Sequence, residues 1–197
     1  MSRTTILLPK DQKIFSMKEL KDMGLSQYKV SKLIENGRLK KMNKSFYENC
    51  DYIGDDCDFY YVKAYAQNGV VCLLSAAAYY QLTTFIPDAI DVAIPRKSKV
   101  STIPKWPHIN VHYYSDEKYI LGVINIKKGR NEFQIYDKEK VVVDIIHHKE
   151  LVGIEETKEI LLNYLQEKNR DLNKLLKYAK LMKCEKIIHG YLEVLIW

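Results

Sequence analysis

Apolar residues first recur at helical spacing between Ser16 and Gly37. Met17 and Leu20 share one face of a first predicted helix. Val30, Leu33 and Ile34, at i, i+3 and i+4, form the buried stripe of a second. Both helices carry their own boundaries. Ser16 with Glu19 is a capping box, in which hydroxyl and carboxylate each take a free backbone N–H. Ser26 caps the second helix, and Gly24 and Gly37 offer the positive φ that ends a helix cheaply. Leu39-Lys40-Lys41-Met42 and Phe46-Tyr47 then read as two short strands around an Asn43-Lys44-Ser45 turn. Helix, tight turn, helix and small hairpin predict a winged helix-turn-helix.

The rest of the chain alternates between the two periods. Residues 58–68 predict a helix with Phe59, Val62, Tyr65 and Ala66 inward, stopped by Gly69. Val70 to Leu73 reads as a strand, and Ser75 as the cap of a helix whose alanines 76 to 78 admit a close neighbour. Ile90 to Ile94 is a strand ended by Pro95. Residues 100–137 predict a β meander, with alternation at Ile109–Tyr113, Val123–Ile126 and Phe133–Tyr136, hence one covered and one wet face. Val141 to His148 follows as a helix, and Asp144 inside its apolar run must be paired or reach a surface. Three amphipathic helices finish the chain, striped by Thr157, Ile160, Leu161, Tyr164 and Leu165, by Leu172, Leu175, Leu176 and Ala179, and by Ile188, Tyr191, Leu192 and Leu195. The expected class is α+β: an N-terminal winged helix over residues 1–50, then a mixed β-meander and helical domain over 51–197. The polar, acidic segment Asn49–Asp58 marks the break.

Charge sharpens the first part of this picture. Residues 1–48 hold 11 Lys/Arg against 5 Asp/Glu, whereas residues 49–197 hold 20 of each. The whole excess of +6 therefore sits on the predicted winged helix. A basic domain favours polyanions through counterion release. On the second helix, Tyr28, Lys32 and Glu35 point away from the apolar stripe, with Gln27, Lys29 and Ser31 beside them. Such a face offers charge to phosphates and polar reach to base edges in a major groove. Lys40, Lys41 and Lys44 cluster on the hairpin, where a wing touches the backbone of the duplex. These eight residues are the candidate double-stranded-DNA contacts.

Other chemistry is thinly represented. The cysteines at 50, 57, 72 and 184 include no CxxC pair, so free thiols are expected rather than zinc. Asp56-Cys57-Asp58 matches a minimal two-aspartate metal motif, yet lacks the Gly-Ser pair and third carboxylate that a nucleotidyltransferase needs, and reads as a linker and cap. His108 and His112 have no evident third ligand. Arg96, Lys97 and Lys99 read as a solvated basic loop, and Arg170, Lys174 and Lys177 as a solvated helix face. No nucleophile elbow accompanies the histidines. The expectation is therefore no catalytic residue, no metal and no cofactor. The longest apolar run, Val70 to Tyr80, is too short to span a bilayer, and the polar first residues carry no signal-peptide core. A cytoplasmic protein without a membrane partner is expected.

The motifs SMKEL, Gly24-Leu25-Ser26, KLIENGRLKKM and KSFY together resemble the winged helix of the AbiEi family, antitoxins of type IV toxin–antitoxin (abortive-infection) systems. VCLLSAAAYYQL at residues 71–82, Val92-Ala93-Ile94-Pro95-Arg96-Lys97, Val141 to His148 and the three closing helices are similar to further segments of that family, in the same order. Two positions depart from its pattern. Ser45 stands where the wing has glycine, leaving the turn to Asn43, and Pro9 interrupts the stretch where a first helix would precede Ser16. The resemblance implies a winged helix that binds inverted repeats in its own promoter and represses the operon. It also implies a C-terminal domain that counters a nucleotidyltransferase toxin, AbiEii, without a stable complex. Two other classes fit the residues. A nuclease or nucleotidyltransferase targeted by a winged helix would show metal-dependent activity, and a stand-alone transcription factor would lack an adjacent toxin gene.

Overall fold

The computed structural model describes residues 7–100 and 102–196, with side chains through Glu193 in the last helix. Ile6 and the side chain of Leu195 lie outside them. The chain is mixed α+β, with a three-stranded and a five-stranded sheet. It divides into two compact units, Met1–Gln67 with Ile126–Phe133, and Asn68–Asn125 with Gln134–Trp197.

In the first unit β1 (Ile14–Ser16) leads into α1 (Met17–Asp22), α2 (Gln27–Glu35), β2 (Leu39–Lys41) and β3 (Phe46–Asn49). The sheet order is β1-β3-β2, with both pairings antiparallel. The capping box forms: Ser16 N–H donates to Glu19 Oε2 at 2.6 Å and Glu19 N–H to Ser16 Oγ at 3.1 Å. Burial opposes ionisation of Glu19, but the bonds from Ser16 outweigh it and hold the carboxyl below its ordinary range. Gly24 and Gly37 adopt φ of +77° and +68° and end their helices as the sequence predicts. Leu20, Leu25, Val30 and Leu33 pack with Phe15, Leu39 and Tyr47. Ahead of α1 stands strand β1, with no helix among the described residues 7–13, and Leu8 reaches into the core from that stretch.

The segment after β3 departs from the expected helix. Asp58–Tyr61 is a 3₁₀ turn followed by the short α3 (Val62–Tyr65). Three residues per turn rotate the inward face, so Tyr60 and Tyr61 are buried while Phe59 and Tyr65 are half-buried. Both inward hydroxyls are satisfied, Tyr60 by Asp55 at 2.9 Å and Tyr61 by Glu48 at 2.5 Å. The expected break at 50/51 thus falls inside the first unit. Asn49 Nδ2 donates to the carbonyls of Pro9 and Gln12, each at 2.8 Å, and Asp51 pairs with Arg38 at 2.5 Å. From far along the chain, Asn131 Oδ1 accepts from Lys13 N–H at 2.7 Å and Phe133 meets Phe59 edge-on at 5.3 Å.

The second unit is built on β4 (Val70–Val71), α4 (Leu73–Tyr79), β5 (Ile90–Pro95), β6 (Ile109–Tyr114), α5 (Asp116–Tyr119), β7 (Val123–Lys128) and β8 (Asn131–Tyr136). Five helices follow: α6 (Lys138–His147), α7 (Lys149–Val152), α8 (Ile154–Gln166), α9 (Leu172–Leu181) and α10 (Glu185–Ile196). The tip of the β7–β8 hairpin is the piece that groups with the first unit. The strand order β6-β5-β4-β8-β7, with β5 parallel to β6 and β4 parallel to β8, replaces the expected meander. Residues 96–108 are long enough for the crossover that parallel neighbours need. Ser75 is no cap. It lies within α4, where its Oγ donates to the Ala89 carbonyl at 3.1 Å and accepts from Asp91 N–H at 2.8 Å, tying helix to strand.

Helix α6 is the axis of this unit, buried from Glu139 to Ile146 and packed against α4, α8 and α9. Asp137 caps it through Lys140 N–H at 2.9 Å. Lys174 of α9 bridges Asp137 and Glu139 at 3.0 and 3.1 Å, so this lysine is clasped rather than solvated, while Arg170 and Lys177 are exposed as expected. Within α6, Lys140 and Asp144 are both fully buried and meet at 2.5 Å, which answers the demand for a partner. Breaking such a pair from one side leaves an uncompensated charge, worth about 3–5 kcal/mol, whereas replacing both partners by apolar residues of similar volume is often neutral. Lys140→Met alone and Asp144→Leu alone should therefore destabilise by about that much, and the double variant should recover most of the loss in urea denaturation. A double variant as unstable as the summed singles would show that the pair is more than a mutual neutralisation.

Candidate nucleic-acid interface

The eight predicted contacts all lie exposed in the first unit. Gln27, Tyr28, Lys29, Ser31 and Lys32 occupy the outer face of α2, while its inner face sends Val30 and Leu33 into the core. Tyr28 is 72% exposed, a large aromatic that packing inside the unit leaves uncovered. Lys40 and Lys41 extend from β2, and Lys44 sits in the turn between β2 and β3. The capped start of α2, where Ser26 Oγ accepts from Lys29 N–H at 3.4 Å, holds this face in register with the turn.

The lysines are not equivalent. Lys32 pairs with Glu35 at 2.7 Å and lies 5.9 Å from the Tyr28 ring centroid, and the bond to Glu35 holds its ammonium above its ordinary value. Lys40 faces Glu48 across the β2–β3 register at 3.6 Å. Among the described residues Lys29, Lys41 and Lys44 have no ion-pair partner and present unopposed charge. Reasoning along the sequence placed Glu35 on this face without its pairing to Lys32, and left out Glu48. The i,i+3 spacing of Lys32 and Glu35 signals the first pair; the second becomes visible only once the hairpin register is known.

The turn is held without glycine. Asn43 Oδ1 accepts from Ser45 N–H at 2.9 Å and Phe46 N–H at 3.0 Å, closing the loop through a side chain. Its Nδ2 donates to the Ala64 carbonyl at 2.7 Å and so anchors the turn to α3. Asn43 therefore supplies the turn, but by hydrogen bonding; it is not among the positive-φ residues.

Elsewhere the predicted chemistry is dispersed. His112 Nε2 lies 2.9 Å from Asp91 Oδ1, while His108 is exposed outside that couple. No group of three or more His, Cys, Asp or Glu able to hold a metal occurs among the described residues. No helix among them is long and apolar enough to cross a membrane.

No family model matches the chain, and no curated protein matches it. Among solved structures, the crystal structure of the RV2827C protein from Mycobacterium tuberculosis is similar over 92% of this chain and 76% of its own, at 12% identity and a TM-score of 0.46. A likeness of that depth carries no argument, and the resemblance to AbiEi antitoxins rests on the motifs alone.

Asn43→Ala should destabilise the first unit by about 1–3 kcal/mol, since it removes the acceptor of two amides and the donor to a backbone carbonyl. Hydrogen exchange at Ser45 and Phe46 should accelerate in step. Unchanged exchange at those two amides would mean the turn is held by its strands.

Proposed function

We propose that the protein is a DNA-binding antitoxin of a type IV toxin–antitoxin system. The first unit acts as a winged helix: β1, α1, α2 and the β2–β3 hairpin follow the order of that fold, with α2 as the reading helix. The carrying observation is the outer face of α2, where Gln27, Tyr28, Lys29 and Ser31 are exposed, together with Lys29, Lys41 and Lys44, which have no ion-pair partner among the described residues. Gln27 and Tyr28 have the reach and hydrogen-bonding groups for base edges. Lys29, Lys41 and Lys44 meet phosphates, which position the protein without reading sequence. Repression of its own operon through inverted repeats, and antagonism of a nucleotidyltransferase toxin by the second unit, follow from the AbiEi resemblance.

The pairing pattern gives this reading a sharp test. Lys29→Ala, Lys41→Ala and Lys44→Ala should each weaken binding to the operon's promoter and flatten the salt dependence by about 0.9 per lost phosphate contact on a log–log plot. Glu35→Gln should do the reverse, tightening binding to any duplex by freeing Lys32. Fluorescence anisotropy over a salt series measures both, and lysine variants indistinguishable from the parent would remove α2 and the hairpin from the interface.

The antitoxin half is tested in cells. The triple variant Lys29→Ala/Lys41→Ala/Lys44→Ala, expressed from an unrelated promoter, should still relieve growth inhibition by a nucleotidyltransferase encoded beside it, while a promoter–reporter stays derepressed. Loss of protection in the soluble triple variant would tie protection to DNA binding and end the two-function account.

A further inference from the structure

The second unit contains a cavity of about 180 Å³ at the N-terminal end of α4, and no part of the reading above uses it. Its walls are Leu73, Leu74, Pro87 and Val152, with Phe85 and Leu151 at a rim where both remain substantially exposed. Its polar lining comes from two parallel neighbours, with Asn110 exposed on the edge strand. Asp91 on β5 stands opposite Asn110 on β6, and His112, two residues further along β6, reaches back to Asp91 Oδ1 at 2.9 Å. The Asp91 residue is only 8% exposed, and the His112 ring is the one side-chain donor to its carboxylate among the described residues. A carboxylate has about four acceptor positions, and Asp91, which lines the cavity, spends one of them on His112, leaving its second oxygen with acceptor capacity. That second oxygen is not among the buried atoms left without a partner, so solvent reaches it in the open cavity and a ligand donor can take the water's place.

The lining also restricts what that occupant can be. Asp88 and Asp91 contribute two carboxylates and no lysine or arginine lines the cavity, which disfavours phosphates and carboxylates. The volume is slightly above that of an engineered cavity of about 150 Å³ known to hold benzene, so a single planar ring fits. Phe85 at the open rim offers a face for stacking. Asn110 adds an amide with both a donor and an acceptor. Leu73 in the wall holds φ of +43°, the left-handed region that a non-glycine side chain enters only at a cost and that clusters at ligand clamps. The alternative to a site is a structural couple that closes the sheet edge over a small solvent-filled dimple. A site is favoured over it by the apolar walls set around a carboxylate with acceptor capacity left for a donor.

We propose that this cavity binds a one-ring, amino-substituted nitrogen heterocycle of the nucleobase type. The exocyclic amine donates to Asp91 Oδ2, a ring acceptor meets the Asn110 amide, and the ring lies between Leu74 and Phe85. His112 acts as a positioning residue that fixes the carboxylate through Oδ1. A substituent on the ring leaves through the open rim between Phe85 and Leu151.

Cytosine and uracil test this directly, because they have nearly the same shape and differ where Asp91 would read them. Isothermal titration of the full-length protein should show cytosine binding and uracil weaker by at least about tenfold, since its carbonyl oxygen would oppose the carboxylate. Asp91→Asn keeps the shape and should abolish that preference. Leu74→Trp should fill the cavity and remove binding of both while far-ultraviolet circular dichroism and a cooperative thermal transition stay native. Equal affinity for the two bases, a preference that survives Asp91→Asn, or no heat from cytosine at millimolar concentration would each overturn the proposal. A fall in melting temperature for Asp91→Asn without cytosine binding to the parent would assign the couple to structure alone.

Discussion

The ion pair between Lys140 and Asp144 constrains the second unit more than any other contact. Two charges with no exposed surface cost several kcal/mol each to desolvate, and only close mutual contact offsets that. Burial pushes the Asp144 carboxyl up, against the pull of the Lys140 ammonium. The tyrosine rings of Tyr136 and Tyr114, 4.3 and 5.0 Å from the ammonium, supply further compensation. Both partners lie on α6 one turn apart, so the pair itself is local. What is not local is the aromatic surround, which comes from β6 and β8. Any rotation of α6 would carry the ammonium away from those rings. The pair therefore fixes how the helix sits on the sheet, and the clasp of Lys174 on Asp137 and Glu139 repeats the constraint at its N-terminus.

The first unit uses charge in the opposite way. Its ion pairs are mostly at the surface, where each contributes little to stability, yet they decide which cations remain available. Glu35 occupies Lys32 and Glu48 occupies Lys40, leaving Lys29, Lys41 and Lys44 unopposed. A basic composition therefore overstates the usable charge, and the identity of the unpaired lysines carries more information than their number. That distinction also explains why lysines equivalent in sequence should differ in their effect on salt dependence.

How much of this was legible depended on whether the cause was local. Caps, glycine stops and apolar stripes are set within four residues, so α1, α2, α8 and α9 stand where the pattern of the chain places them. The need of Asp144 for a partner was readable from its apolar neighbours, although the identity of Lys140 was not singled out. Strand order was not legible, because β4 pairs with β8 more than sixty residues away, and alternation along a strand says nothing of its neighbour. Ser75 misled for a related reason. A serine ahead of an alanine run looks like a cap, and only the proximity of Ala89 and Asp91 turns it into a staple. The Asp91–His112 couple was equally hidden, since the residues are 21 apart and meet through strand register.

The same long-range logic settles what happens to the acidic segment after β3. Counted along the chain, residues 49–58 carry Asp51, Asp55, Asp56 and Asp58 and look set to cancel the basic excess that precedes them. Counted as folded, the first unit gains Lys127, Lys128 and Arg130 from the hairpin tip and holds fifteen Lys/Arg against ten Asp/Glu. The additions are spent on acids. Lys128 meets Asp55 at 3.0 Å, Arg130 meets Asp11 at 3.3 Å, and Arg38 meets Asp51 at 2.5 Å. Burial opposes ionisation of Asp55, but Lys128 and the hydroxyls of Tyr60 and Tyr52 hold its carboxyl below the ordinary range. Asp51 and Asp55 of the segment are thus paired by residues outside it, while Asp56 and Asp58 have no ion-pair partner among the described residues. Among the described residues of this unit, Lys10, Lys18 and Lys21 share the unpaired charge with Lys29, Lys41 and Lys44, and a polyanion approaching α2 and its hairpin meets Glu35 and Glu48 already engaged by Lys32 and Lys40.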